Sequence, residues 1–135
     1  MKALVTGASS GIGEEIAKEL GKRGYDIILV GRNEEKLKDV ASKIKTNTRI
    51  ITMDLSNKEN CEKLYEETKN EDIDILINNA GFGDCGFFSE TDLDKELNMI
   101  KTNIIAYHIL TKLYLKDMKE KNSGKILNVA SIAGF

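Results

Sequence analysis

The sequence contains no proline and no tryptophan, one histidine and two cysteines. With no proline and no low-complexity stretch, nothing marks a linker, so one domain over residues 1–135 is expected. Cys61 and Cys85 have neither a second pair nor a CxxC spacing, which removes support for a disulfide framework or a zinc site; no metal is expected. Long apolar runs are also missing. The longest, around residues 73–77 and 125–130, fall far short of the roughly 20 residues that a membrane helix needs. Met1 leads almost at once into the strand-like Lys2-Ala3-Leu4-Val5-Thr6, which leaves no room for a signal peptide, so a cytoplasmic location is expected. Neither sign of charge dominates: 20 basic and 22 acidic residues are interspersed, for a net charge of −2. That balance argues against a nucleic-acid or anionic-membrane footprint and leaves room only for a local anion site.

What the chain does have is alternation. Runs rich in Val, Ile and Leu at residues 2–6, 26–31, 49–53, 73–78 and 124–130 read as strands covered on both faces. Amphipathic stretches at 12–23, 34–44, 58–70 and 92–121 read as the helices between them. Strand and helix in turn is the pattern of βαβ units laid into a parallel sheet. The long last helix carries two apolar stripes, one of Leu93, Leu97, Ile100, Ile104 and Tyr107, the other of Ile105, Ile109 and Leu113. A helix apolar on two faces is buried on two sides. The second face meets either a later part of the fold or another subunit.

After the first strand comes Thr6-Gly7-Ala8-Ser9-Ser10-Gly11-Ile12-Gly13, then a plainly helical segment. Strand, glycine turn and helix form a phosphate-binding arrangement. Glycine lets the backbone turn tightly and approach a pyrophosphate, while free N–H groups and the helix dipole attract negative charge. The spacing is Gly-x3-Gly-x-Gly, and further segments follow in order. Asp54-Leu55 follows the third strand, Asn78-Asn79-Ala80-Gly81 closes the fourth, Asn103 lies in the long helix, and Asn128-Val129-Ala130-Ser131-Ile132-Ala133-Gly134 ends the fifth. Together these motifs resemble the short-chain dehydrogenase/reductase family along the whole chain. The resemblance implies an α/β, doubly wound Rossmann-type parallel sheet with five strands in the order 3-2-1-4-5, cut off after the fifth. It implies cofactor contacts from Thr6, Gly7, Ser9, Ser10, Gly11, Ile12, Gly13, Asp54, Leu55, Asn79, Ala80 and Gly81.

At the end of the second strand, where an NAD enzyme places an acid to hold the ribose 2′-hydroxyl, the sequence reads Val30-Gly31-Arg32-Asn33. A guanidinium there would clamp a 2′-phosphate, which points to NADP(H). The alternative is that Arg32 is a solvated residue before a helix capped by Asn33. A methyltransferase of similar architecture would place an acid at this point, and Gly31-Arg32 counts against it.

The resemblance implies hydride transfer between NADP(H) and a carbonyl or alcohol substrate, with Ser131 holding the substrate oxygen and Asn103 supporting a proton-relay water. The family's catalytic Tyr-x3-Lys pair falls past Phe135, so the 135-residue chain is expected to be inactive alone. The alternative is a nucleotide-binding remnant or interaction module. One Tyr-x3-Lys string does occur, Tyr65 to Lys69, but on a crossover helix rather than at the carboxyl ends of the strands where ligands bind, so it reads as a decoy. His108 reads as a packing or surface residue. Asp84, Cys85, Phe87 and Phe88 fall in a glycine-rich loop on the substrate's approach, with substrate contact and core packing both open. The resemblance further implies a homo-oligomer built partly on the long helix around residues 92–121.

Overall fold

The computed structural model describes residues 1–131. The elements run β1 Lys2–Thr6, α1 Gly11–Lys22, β2 Asp26–Gly31, α2 Glu34–Ser42, β3 Thr48–Thr52, α3 Lys58–Thr68, β4 Ile75–Asn78, α4 Leu93–Ile100, α5 Ala106–Glu120 and β5 Lys125–Asn128. All strand pairs are parallel, in the order β3-β2-β1-β4-β5, with Thr6 beside Val30 and Val5 beside Ile77 at the center. Ile132, Ala133, Gly134 and Phe135 lie outside the described residues.

Alternate residues of each strand feed two cores, as the twofold period of a pleated strand requires. Leu4, Ile28, Val30 and Leu76 face α3 and α5, where they meet Cys61, Leu64, Leu110 and Tyr114. Ala3, Val5, Ile27, Leu29 and Ile77 face α1 and α2, where they meet Ala17, Leu37 and Val40. Each large aliphatic side chain buried in this way contributes about 1.5–3 kcal/mol. Reversing the period by a one-residue slip of β1 would exchange the two sets.

The last helix departs from the sequence reading. It is not continuous over 92–121: α4 and α5 are joined by a π turn over Lys101–Ile105. A π turn inserts an extra residue into the helical repeat, so the apolar phase shifts across it. The face α5 buries fully is therefore Ala106, Leu110, Tyr114 and Met118, while of the stripe through Ile105, Ile109 and Leu113 only Ile109 packs against the core, and that partly. Ile105 is 43% exposed, and Leu93 and Ile104 are 64% and 62% exposed. Smaller departures occur at the other ends. β4 starts at Ile75, and α3 passes into a 3-10 turn over Lys69–Glu71 before the left-handed Asp72. β5 is an edge of the sheet, and the Val129 N–H just past it donates to the Asn78 carbonyl at 2.9 Å.

Burial fixes the alkaline limit of this core. Burial, helped by Glu62 and Asp54, raises the Cys61 thiol from 9.0 to about 11, and burial likewise pushes the Tyr114 phenol up. The folded chain keeps protons that the unfolded chain releases. Stability is therefore full below the unfolded values and falls as pH rises through them, by up to about 1.4 kcal/mol per pH unit per group. We expect the urea midpoint to hold to about pH 9 and to decline above it. A midpoint unchanged up to about pH 11 would contradict this account.

Candidate cofactor cleft

A cleft of about 930 Å³ opens at the carboxyl ends of β1, β2 and β4. In open parallel sheets ligands bind at this edge, where the strand order reverses. Its floor is the turn after β1, with Gly7, Ser9, Ser10 and Ile12 at the surface. The turn is fastened by the Ala8 N–H, which donates to the Val30 carbonyl at 3.1 Å. Gly11 has φ +57°, a left-handed conformation that a Cβ would strain, and nothing stands within 4 Å of where that Cβ would be. Gly13 is required for the opposite reason, because its Cβ would collide with the Gly7 carbonyl oxygen and the Asn79 amide. The first turn of α1 and the strand ends thus meet backbone to backbone.

The start of α1 differs from the other helices that begin in loops. Asn33, Asn57 and Asp92 cap α2, α3 and α4 with side-chain oxygens that accept from Lys36, Glu59 and Lys95 N–H groups. Ser10, at the N-cap of α1, makes no side-chain cap. The N–H groups of the first turn have no intrahelical acceptor, and with the dipole they favor an anion in front of them.

A latch holds this turn against β4. The Thr6 hydroxyl donates to the Ile77 carbonyl at 3.1 Å and accepts from the N–H groups of Asn79 and Ala80 at 2.9 and 3.0 Å. In return the Asn79 amide donates to the carbonyls of Thr6 and Gly7 at 3.2 and 3.1 Å. Thr6 is only 1% exposed, and neither it nor Gly11 nor Gly13 lines the cleft; these residues shape it from behind. Gly7, Ser9, Ser10, Ile12, Arg32, Asp54, Leu55, Asn79, Ala80 and Gly81 all line it. So do Met53, Phe82, Thr102 and Lys36, which the sequence reading did not single out.

The far wall of the cleft carries Arg32 at the end of β2. Of the three arginines, Arg23 pairs with Glu19, and Arg49 with Glu71 and Glu67. Arg32 has no carboxylate partner among the described residues and is exposed on the cleft wall. Asp54, across from it, accepts from the Ser56 N–H at 2.9 Å.

Beyond β4 the chain is pinned to the helix that carries Asn103. The Asn103 carboxamide accepts from the Phe82 N–H at 3.0 Å and donates to the Phe82 carbonyl at 2.8 Å, from within the π turn. Asp84 pairs with Lys95 at 2.8 Å, and this lowers the Asp84 pKa, first through that hydrogen bond and then through the Cys85 N–H. Phe87 and Phe88 are 77% and 86% exposed, so the core-packing alternative does not hold for them. Asn78, fully buried, ties β4 to α5 and β5 by donating to Thr111 Oγ1 at 3.0 Å and Asn128 Oδ1 at 2.9 Å. Ser131 is exposed just past β5, at the carboxyl edge of the sheet.

Tyr65 and Lys69 lie elsewhere. The Tyr65 hydroxyl donates to both Asp117 oxygens at 2.9 Å, and Lys69 pairs with Glu66 at 2.5 Å. Burial, then the Asp117 carboxylate, pushes the Tyr65 phenol up to about 12, away from the neutral range that acid–base catalysis uses. His108 is exposed on α5.

The short chain dehydrogenase family matches residues 1–135. The chain is 42% identical to the 3-oxoacyl-(acyl-carrier-protein) reductase of Rickettsia prowazekii, covering 98% of this chain and 54% of that protein. It is 39% identical to an uncharacterized oxidoreductase of Staphylococcus saprophyticus, covering 98% of this chain and 59% of the relative. The chain thus spans between half and three fifths of the length of these curated relatives. Among solved structures, a metagenomic short-chain oxidoreductase in complex with NADP superposes with a TM-score of 0.93 at 30% identity, covering 100% of this chain and 63% of the other. A Sphingobium yanoikuyae short-chain dehydrogenase in complex with NADPH superposes with a TM-score of 0.93 at 29% identity, covering 99% and 55%. With the glycine turn, the latched Asn79-Ala80-Gly81 segment and the sheet order all in place, the chain belongs to the short-chain dehydrogenase family.

Proposed function

We propose that this chain is the cofactor-binding part of an NADP(H)-dependent oxidoreductase that interconverts a carbonyl and an alcohol. The observation that carries the reading is one cleft in which an uncapped helix start faces open space and an arginine without an ion pair stands at the end of β2. The fit to a dinucleotide rests on the glycine turn: Gly7, Ser9, Ser10 and Ile12 border the cleft, and Gly13, which has no room for a Cβ, lets the first turn of α1 close against the Gly7 carbonyl.

In this reading the first turn of α1 receives the pyrophosphate, Asp54 and Leu55 border the adenine, and Arg32 holds the ribose 2′-phosphate. A bound nicotinamide supplies or accepts the hydride. Ser131 orients the substrate oxygen, as the family resemblance implies. Asn103 positions the segment after β4 through its two bonds to Phe82 and supports the proton relay. The exposed stripe of Leu93, Leu97, Ile100 and Ile104 supports assembly into a homo-oligomer through α4.

Calorimetric titration with NADPH and NADH tests the cofactor reading. NADPH is expected to bind more tightly. Arg32→Ala should weaken NADPH by at least about tenfold, the loss of a charge-assisted pair, and leave NADH nearly unchanged. Equal affinities for the two in the unaltered protein would reject NADP(H) preference. The alternative, a nucleotide-binding module without catalysis, predicts the same binding but no carbonyl reduction by the protein expressed from its complete natural gene.

A further inference from the structure

A phosphate monoester carries about −1.5 to −2 charge at neutral pH, so a single guanidinium leaves part of it uncompensated. The glycine turn contains no basic residue that could supply the rest. Two cations line the cleft, Arg32 and Lys36. Neither has a carboxylate partner among the described residues, although acids lie close by. Glu34 and Glu35 border the same cleft, yet both are drawn to Lys38, at 3.3 and 3.7 Å. Lys36 is exposed, and its backbone is fixed because its N–H donates to the Asn33 side chain at 3.0 Å. It thus stands in the first turn of α2, one turn beyond Arg32, where the helix dipole adds to its attraction for an anion.

We infer that Lys36 is a second specificity-determining residue for the cofactor, completing with Arg32 a two-cation clamp on the 2′-phosphate, while Lys38 offsets part of the charge of Glu34 and Glu35. The inference rests on the NADP(H) reading above and adds a residue to it. Arg32 supplies directional hydrogen bonds and Lys36 a mobile point charge, so Lys36 should respond more to salt and less to exact geometry.

The test measures NADPH, NADH and 2′,5′-ADP dissociation constants by calorimetry, at low and at physiological salt, on the protein expressed from its complete natural gene. The variants are Lys36→Ala, Lys36→Arg and Arg32→Ala. Lys36→Ala is expected to weaken NADPH and 2′,5′-ADP about tenfold at low salt and less at physiological salt, with NADH within about twofold. Lys36→Arg should retain most of the affinity. If Lys36→Ala binds both phosphorylated ligands as the unaltered protein does while Arg32→Ala does not, the clamp is overturned and the NADP(H) reading stands. If neither substitution changes binding, the NADP(H) reading fails and the clamp with it.

Discussion

Thr6→Val is expected to lower stability by about 3 kcal/mol and to abolish measurable dinucleotide binding, although it changes no atom that lines the cleft. Valine matches threonine in shape, so packing around the 1% exposed side chain is preserved and the loss is polar. The hydroxyl's three partners, the Ile77 carbonyl and the N–H groups of Asn79 and Ala80, are left behind. An unsatisfied buried group costs about 1–3 kcal/mol. Ile77 is nearly inaccessible, whereas Asn79 and Ala80 are only half-buried and can recover some of the loss from water, which places the sum near the lower half of that range per group. The functional effect follows from contact. A Cβ on Gly7 would stand 2.8 Å from the Ala80 Cα, so any shift of the β4 end displaces the glycine turn. Urea unfolding with an unchanged slope and a lower midpoint is the expected readout, and Thr6→Ser, which keeps the hydroxyl, should restore most of both properties. A Thr6→Val protein with the midpoint of the unaltered chain would show that the latch is incidental.

The strands were legible because a sheet covered on both faces demands continuous apolar runs, and Ile27 to Val30 is such a run. The glycine turn was legible because backbone approach and left-handed φ leave few residues to choose from. The long helix misled because its apolar spacing was read at one constant period, and the π turn over Lys101–Ile105 changes the phase midway. No local signal announces that turn. The latch was only half visible. Thr6 and Asn79 are 73 positions apart, and their bond depends on β1 and β4 becoming neighbors, so the sequence suggested cofactor contact for Thr6 and gave no sign that its hydroxyl holds two strand ends together. Lys36 escaped notice because in a run of alternating charges it looks like one more solvated residue. Its isolation appears only once Glu34 and Glu35 are seen paired with Lys38.

Gly13→Ala should be the more disruptive of two apparently equal changes, costing about 2–3 kcal/mol and cofactor affinity together, while Gly11→Ala costs about 1 kcal/mol. Gly13 is buried in the first turn of α1 with ordinary helical backbone, where alanine is intrinsically favored. What forbids it is space. The added methyl meets the Gly7 carbonyl, which is backbone and cannot rotate away, and the Asn79 amide, whose displacement breaks its bonds to Thr6 and Gly7. To make room, α1 must lift from the end of β1, and the N–H groups that face the pyrophosphate move with it. At Gly11 the balance reverses, since the methyl enters open space and the penalty is the φ of +57° alone. Conformational rules without the structure would order the two substitutions the other way, because only Gly11 has an unusual backbone. Comparing urea midpoints and NADPH affinities of the two variants decides between them. A Gly13→Ala protein as stable as Gly11→Ala would mean that α1 does not pack on β1 as closely as its glycine implies.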